Sequence, residues 1–234
     1  MNRLVIAASD KGGVGKSFTM VNLVQWYKDT KRKFRCFDPD HTNSTLTRYH
    51  SESVFVDIRK PQSMDQIVEA VFRDGFPLVA VDGIGGQKGV FLNWIADVDL
   101  FSIVADSGLA LTFVVIVDED KDTVAQTKET IETIGDKVDW FVVKNHKTVG
   151  HTDMWDNSKI REAAMKLGAR EIVLPKLTEH LISLLQTNSL PVSEASRSKK
   201  IGSIMDRSRC HQYASKLAAS FDTHADILTD TPDA

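Results

Sequence analysis

The sequence predicts a doubly wound α/β fold, a mostly parallel sheet with helices on both faces. Two observations lead there. Short β-branched runs alternate with longer segments of helical period along most of the 234 residues, the order expected when crossover helices cover a parallel sheet. The first such run, Arg3 to Ala8, passes into a glycine-rich turn, Lys11-Gly12-Gly13-Val14-Gly15-Lys16-Ser17, and then into a helix.

Residues 3–8 read as the first strand, and 16–29 as a helix with Leu23, Val24 and Tyr27 on one buried face. Phe34 to Phe37 is a second strand that ends at Asp38-Pro39-Asp40, and a polar loop then runs to about Ser51. Val54-Phe55-Val56 is a further short strand. Met64, Ile67, Val68, Val71 and Phe72 repeat at helical spacing within 62–74 and lead into a buried strand, Pro77 to Asp82. The stretch 88–107 admits two readings, because Leu100 to Val104 fits a strand or the last turns of a helix closed by Gly108. Helix is the expectation. Leu111 to Val117 is then the next central strand and 121–134 a polar-faced helix. Trp140 to Val143 and Ile172 to Leu174 complete the strands, separated by a helix near 156–167 that stops at Gly168. A last helix spans about 199–220. One domain is therefore expected over 1–221, and the acidic tail from Asp222 to Ala234, which lacks apolar period, is expected to be disordered.

Hydrophobic residues make up 42% of the chain, charged residues 26%, and the formal net charge is −3, the profile of an ordinary globular protein. No global basic field argues for nucleic acid. The two cysteines, Cys36 and Cys210, are too few for a disulfide framework and lack metal-ligand spacing. Inert thiols in a reducing cytoplasm are expected. The N-terminus lacks the apolar core of a signal peptide, and no apolar stretch approaches the ~20 residues of a membrane-spanning helix.

The turn after the first strand carries the chemistry. A phosphate-binding loop works because glycines that tolerate positive φ let consecutive backbone N–H groups converge on phosphate oxygens at a helix N-terminus. The general pattern is G-x-x-x-x-G-K-[ST]; here Asp10 replaces its first glycine while Gly12, Gly13, Gly15, Lys16 and Ser17 remain. Lys16 is expected to neutralise the β- and γ-phosphates and Ser17 to present its hydroxyl to magnesium, with Val14 and Phe18 completing the nucleotide-binding stretch. Asp38 and Asp40 can lie at the carboxyl edge of the sheet, where doubly wound folds bind ligands, with an Asp-Pro turn that merely ends the strand as the alternative. Asp82 closes the apolar run Leu78 to Val81 and reads as the carboxylate that holds magnesium through water. The following Gly83-Ile84-Gly85-Gly86 reads as a switch. The guanine-reading order N-K-x-D is absent at Asn145-His146-Lys147-Thr148, which favours ATP over GTP.

The string Lys11-Gly12-Gly13-x-Gly15-Lys16-Ser17 resembles the deviant phosphate loop of the ParA/MinD ATPase family, and the likeness extends from residue 3 to about 195. The resemblance implies a P-loop ATPase that binds ATP and Mg2+, dimerises face to face when ATP is bound, and hydrolyses it slowly. It implies that Lys11 reaches the partner's nucleotide, that Asp40 polarises the attacking water, and that Asp38 supports magnesium. It further implies that the Asn145 amide recognises adenine and that Pro175 passes beside the base, although a loop-initiating proline is an equal alternative. Proline lies between the two aspartates here, where the family often has it after the second. Asp38-x-Asp40-x-x-Asn43-x-Thr45, the proline-free step after Asp82, Asn145 and Leu190-Pro191-Val192-Ser193-Glu194-Ala195 are similar to the TraL/StbB-type plasmid transfer and stability proteins.

Such a switch positions or segregates a cargo, a plasmid or conjugative transfer complex, with an unidentified activating protein. A metabolic ATP-dependent ligase or small-molecule kinase on the same fold, or a module that binds nucleotide without hydrolysis, are the alternatives. Arg197, Lys199, Lys200, Arg207, Arg209 and Lys216 admit non-specific DNA binding and nucleoid association. An ordinary solvated helix face explains the same residues. Membrane docking is disfavoured, because aspartates occupy the tail where a basic amphipathic helix would be needed.

Overall fold

The computed structural model describes residues 1–40, 44–83, 86–147 and 150–230. The strands are β1 (Arg3–Ala7), β2 (Phe34–Asp38), β3 (Val54–Phe55), β4 (Leu78–Val81), β5 (Ala110–Val117), β6 (Asp139–Asn145) and β7 (Arg170–Leu174). They form one sheet in the order β3-β2-β4-β1-β5-β6-β7. Every ladder among the described residues is parallel. The register pairs Val5 with Ala80 on one side and with Thr112 on the other, so β1 lies in the middle with its carboxyl end flanked by those of β4 and β5.

Alternation along β1 separates two cores, since successive strand side chains point to opposite faces. Val5 and Ala7 pack with α1 (Lys16–Asp29), α9 (Glu179–Asn188), α10 (Val192–Arg197) and α11 (Ile204–Thr223). Leu4 and Ile6 face α3 (Pro61–Phe72), α4 (Lys88–Asp97), α5 (Leu100–Ser107), α6 (Lys121–Ile134) and α8 (Lys159–Lys166). Both faces of the sheet are buried, which is why β5 reads as a continuous apolar run. Cys36 and Cys210 are free and buried, and burial pushes the Cys36 thiol up to about 12. Among the described residues no helix is long and apolar enough to cross a membrane.

The ambiguous stretch 88–107 is helical, as α4 and α5, and Gly108 closes it with φ 67° in the left-handed region. Four expectations need correction. The polar loop before Ser51 contains a short helix, α2 (Thr45–Tyr49), which starts where Asp38 accepts from Thr47. The helix near 156–167 is two pieces, α7 (Asp153–Asp156) and α8, because the Ser158 side chain caps a new start by accepting from Arg161 N. The last helix begins at Ile204 rather than 199, where the Ser203 side chain accepts from Asp206 N. The tail is not disordered through Asp230: α11 runs to Thr223, α12 (Ala225–Leu228) follows, and Leu228 is fully buried. Its contacts are polar as well as apolar. The buried Arg3 guanidinium donates to Thr229 O at 2.9 Å and Asp226 O at 2.8 Å, and the Tyr27 hydroxyl donates to Leu228 O at 2.6 Å. Residues 231–234 of the expected tail lie outside the described residues.

Candidate phosphate-binding site

The chain leaves β1 at Ala7 and turns into α1 through residues 8–15. Gly13 and Gly15 take φ of 70° and 108°. At Gly15 a Cβ would also lie 2.6 Å from Asn145 Nδ2, so this position has neither the backbone nor the space for a side chain. No side chain caps the N-terminus of α1, and its first turn has no acidic residue, which leaves the helix N-terminus free for an anion. Lys16 is 5% exposed, and its ammonium donates to the Lys11 carbonyl at 2.6 Å. Burial lowers its pKa, against the upward pull of Asp82 and Asp10. Val14 is fully buried beneath the loop.

Asp82 stands just beyond β4, 3% exposed, and the Ser17 hydroxyl hydrogen-bonds its carboxyl group. Burial pushes this carboxyl up to about 7; Asp38 and Asp40 add to the rise, while Ser17 and Lys16 oppose it. Its Oδ1 is buried without a hydrogen-bond partner. A buried carboxylate oxygen beside a serine hydroxyl and a lysine is a donor set that fits hydrated magnesium next to phosphate. Gly83 follows immediately, where a Cβ would lie 1.9 Å from Ala7 O, so β1 and the chain after β4 close up at the site. The Gly86 N–H donates to Asp10 O at 2.8 Å and ties the expected switch to the loop. Ile84 and Gly85 of that switch, and His41 to Asn43 after Asp40, lie outside the described residues.

Asp38 is 1% exposed, and its carboxylate is engaged by loop donors. Oδ1 accepts from Asp40 N at 3.0 Å, and Oδ2 accepts from Thr47 N at 2.9 Å and Thr47 Oγ1 at 3.1 Å. It organises the turn that presents Asp40, and its expected support of magnesium meets a group already taken up by these bonds. Asp40 lines a cleft of about 690 Å³, together with Gly12, Gly13, Gly15, Lys16 and Ser17. Phe18, Tyr49, Ile182, Leu190 and Val192 contribute apolar side chains to its wall. The volume falls within the range of small-molecule sites.

Besides the buried Val14, Asp38 and Asp82, three more expected residues do not line that cleft. Lys11 extends sideways to an ion pair with Asp120, at the start of α6. Asn145, at the end of β6, donates from Nδ2 to Val14 O at 2.8 Å. Pro175 is exposed just past β7. Conversely, sequence reasoning missed the wall contributed by Arg48 and Tyr49 of α2 and by Ile182 and Gln186 of α9. A signal for α9 was present, since Leu181 and Leu185 are four apart and Thr178 caps the helix by accepting from Leu181 N. Of the expected DNA-binding residues, three are bound within the protein: Arg197 pairs with Asp29, Arg209 with Asp206, and Arg207 donates to Ile201 O.

A family model described as the CobQ/CobB/MinD/ParA nucleotide binding domain matches residues 5–218. Protein MobD of Acidithiobacillus ferrooxidans is 21% identical over 224 residues, 92% of this chain and 95% of that protein. Among solved structures, the septum site-determining protein MinD of Pyrococcus horikoshii, complexed with Mg-ADP, superposes with a TM-score of 0.60 at 15% identity, over 99% of this chain and 100% of that one. An ATP complex of a McdA variant from Cyanothece superposes with a TM-score of 0.57 at 12% identity, over 96% of each chain.

Proposed function

The chain belongs to the CobQ/CobB/MinD/ParA nucleotide-binding family, and from that premise we propose that it is an ATP-driven dimerisation switch with slow ATP hydrolysis. The observation that carries this reading is the placement of the two lysines. Lys16 lines the cleft, whereas Lys11 of the same loop is turned away from it to Asp120. A lysine that serves no group in its own cleft suits a role on the nucleotide of a second copy. The Mg-ADP and ATP complexes of the structural relatives support the choice of ligands.

In this reading the phosphates lie on the N-terminus of α1, and Lys16 leaves the Lys11 carbonyl to pair with them. Ser17 and Asp82 hold magnesium, which when bound offsets the charge developing on the phosphate oxygens. Asp40 orients the water that attacks the γ-phosphorus as the bond to the bridging oxygen breaks, giving ADP and phosphate. The apolar wall from Phe18 to Val192 encloses the base. Hydrolysis separates the subunits and releases a cargo, for which a plasmid or conjugative transfer complex is the reading that the sequence motifs favour.

Phosphate release measured over a range of protein concentrations tests this. Turnover per subunit rises with concentration if each site needs a second copy, and Asp40→Ala abolishes it at every concentration. A rate per subunit independent of concentration, in wild type with or without added DNA, contradicts the paired site and favours a metabolic enzyme on the same fold.

A further inference from the structure

We propose that His50 is a positioning residue for hydrolysis: its ring fastens the far end of α2 to α1 and so holds Asp40 in place relative to Lys16 and Ser17. The inference rests on the ATPase reading above and adds a residue to it. His50 follows α2 directly and is 1% exposed. Its Nε2 lies 2.8 Å from the carbonyl oxygen of Val21 in α1. Val21 stands one turn beyond Ser17 and lines the same cleft. This one bond joins the helix that carries Lys16 and Ser17 to the segment that follows Asp40.

The path from the ring to Asp40 is short and hydrogen-bonded. His50 N donates to Leu46 O at 2.8 Å and Arg48 N to Ser44 O at 3.0 Å, while the Ser44 N–H and hydroxyl each donate to Asp40 O at 2.9 Å. Asp38 grips the same helix at Thr47. Leu46 of α2 is fully buried in the core. Apolar packing is non-directional and sets only how deep so short a helix sits. The bond from His50 is directional and sets where α2 lies along α1.

The bond also fixes the chemistry of the ring. A carbonyl only accepts, so the proton sits on Nε2, and Nδ1 is left buried without a hydrogen-bond partner. Glu52 Oε1 is 3.9 Å from Nδ1 and already pairs with Lys28 Nζ at 2.5 Å. Burial lowers the pKa of the ring, and Lys28 lowers it further, against the upward pull of the Val21 bond and Glu52. The Cys36 thiol of β2, subject to the same two charges, is pushed up to about 12 and stays neutral. His50 is therefore a neutral pin with a single donor. Without that donor α2 slides and carries Asp40 with it. A misplaced water slows the attack, whereas the phosphates stay on their loop.

Turnover at saturating Mg-ATP and calorimetric affinity for Mg-ADP separate this role from simple packing. His50→Phe keeps the bulk of the ring and removes the donor; it is expected to lower kcat about tenfold, for one buried hydrogen bond, and to leave Mg-ADP affinity unchanged. His50→Gln, whose amide N–H can replace the donor to Val21 O, is expected to restore kcat to within about twofold of wild type. Full kcat in His50→Phe overturns the inference. So do equal losses in the two variants, or a loss of Mg-ADP affinity that matches the loss of kcat. A readout on wild type covers variants that fail to fold: imidazole nitrogen NMR should show the proton on Nε2 at pH 7 and a ring that titrates below 6.5, the ordinary value. A proton on Nδ1, or titration at or above 6.5, overturns the inference. A wild-type protein that binds Mg-ATP without turning it over overturns the hydrolytic reading, and the role of His50 with it, even where NMR shows the bond.

Discussion

Asp82 has no protein partner for its buried Oδ1, and burial holds its carboxyl group near 7 in the folded chain against 3.8 for the free group. A carboxylate whose folded pKa is raised works against stability once it ionises: the cost begins above the unfolded pKa near 4, grows until the folded group titrates near 7, and is constant beyond. In magnesium-free protein, Asp82→Asn should therefore raise the melting temperature at pH 8 by about 5 °C and by less at pH 5. Thermal unfolding at the two pH values checks this; an equal or larger gain at pH 5 would contradict it. The variant should lose magnesium-dependent nucleotide binding at the same time. Stability gained where binding is lost is the expected mark of a functional carboxylate.

Elements show why some of the site could be read in advance and some could not. The strand, the glycines and the lysine at its end are contiguous in sequence, and their chemistry is local, so Lys16, Ser17 and the helix they open were legible. The α2 helix was not. Its five residues are too few for helical period, and its start depends on a carboxylate nine residues upstream, Asp38 accepting from Thr47. Removing that acceptor should undo the turn. Asp38→Ala is predicted to cost about 2 kcal/mol, read as a lower midpoint in urea unfolding, and to abolish turnover by releasing Asp40. Full stability in Asp38→Ala would show that the α2 turn holds without it. The tail was misread for a related reason. Its acidic composition resembles disorder, yet its ordering comes from main-chain carbonyls accepting from Arg3 and Tyr27, residues more than 200 positions away that no pattern within the tail announces. Asn145 was found by position and assigned by resemblance; its bond to Val14 O, 131 residues away in sequence, is a contact that no local pattern announces.

At the scale of the molecule, function and closure occupy opposite edges of the sheet. The phosphate loop, Asp82 and Asn145 lie at the carboxyl ends of β1, β4 and β6, while Arg3 and Thr112 meet the C-terminal segment at the other end. Arg3 donates to Thr112 Oγ1 at 2.8 Å and Asp139 Oδ2 at 2.5 Å as well as to the two tail carbonyls. Arg3→Met should cost about 3 kcal/mol by stranding those acceptors, lowering the melting temperature by roughly 10 °C, with nucleotide affinity kept. A parallel loss of affinity would show that the two edges are coupled. In the proposed switch a second copy acts at the nucleotide edge, where Lys11 pairs with Asp120 and leaves its own cleft to Lys16. The most direct measurement is the mass of the protein in solution by light scattering with ATP, with ADP and without nucleotide, for wild type, Lys16→Ala and Lys11→Ala. The account predicts a dimer only for wild type with ATP and monomers in every other case. A dimer in Lys11→Ala with ATP, or a wild-type protein whose mass ignores nucleotide, would contradict it.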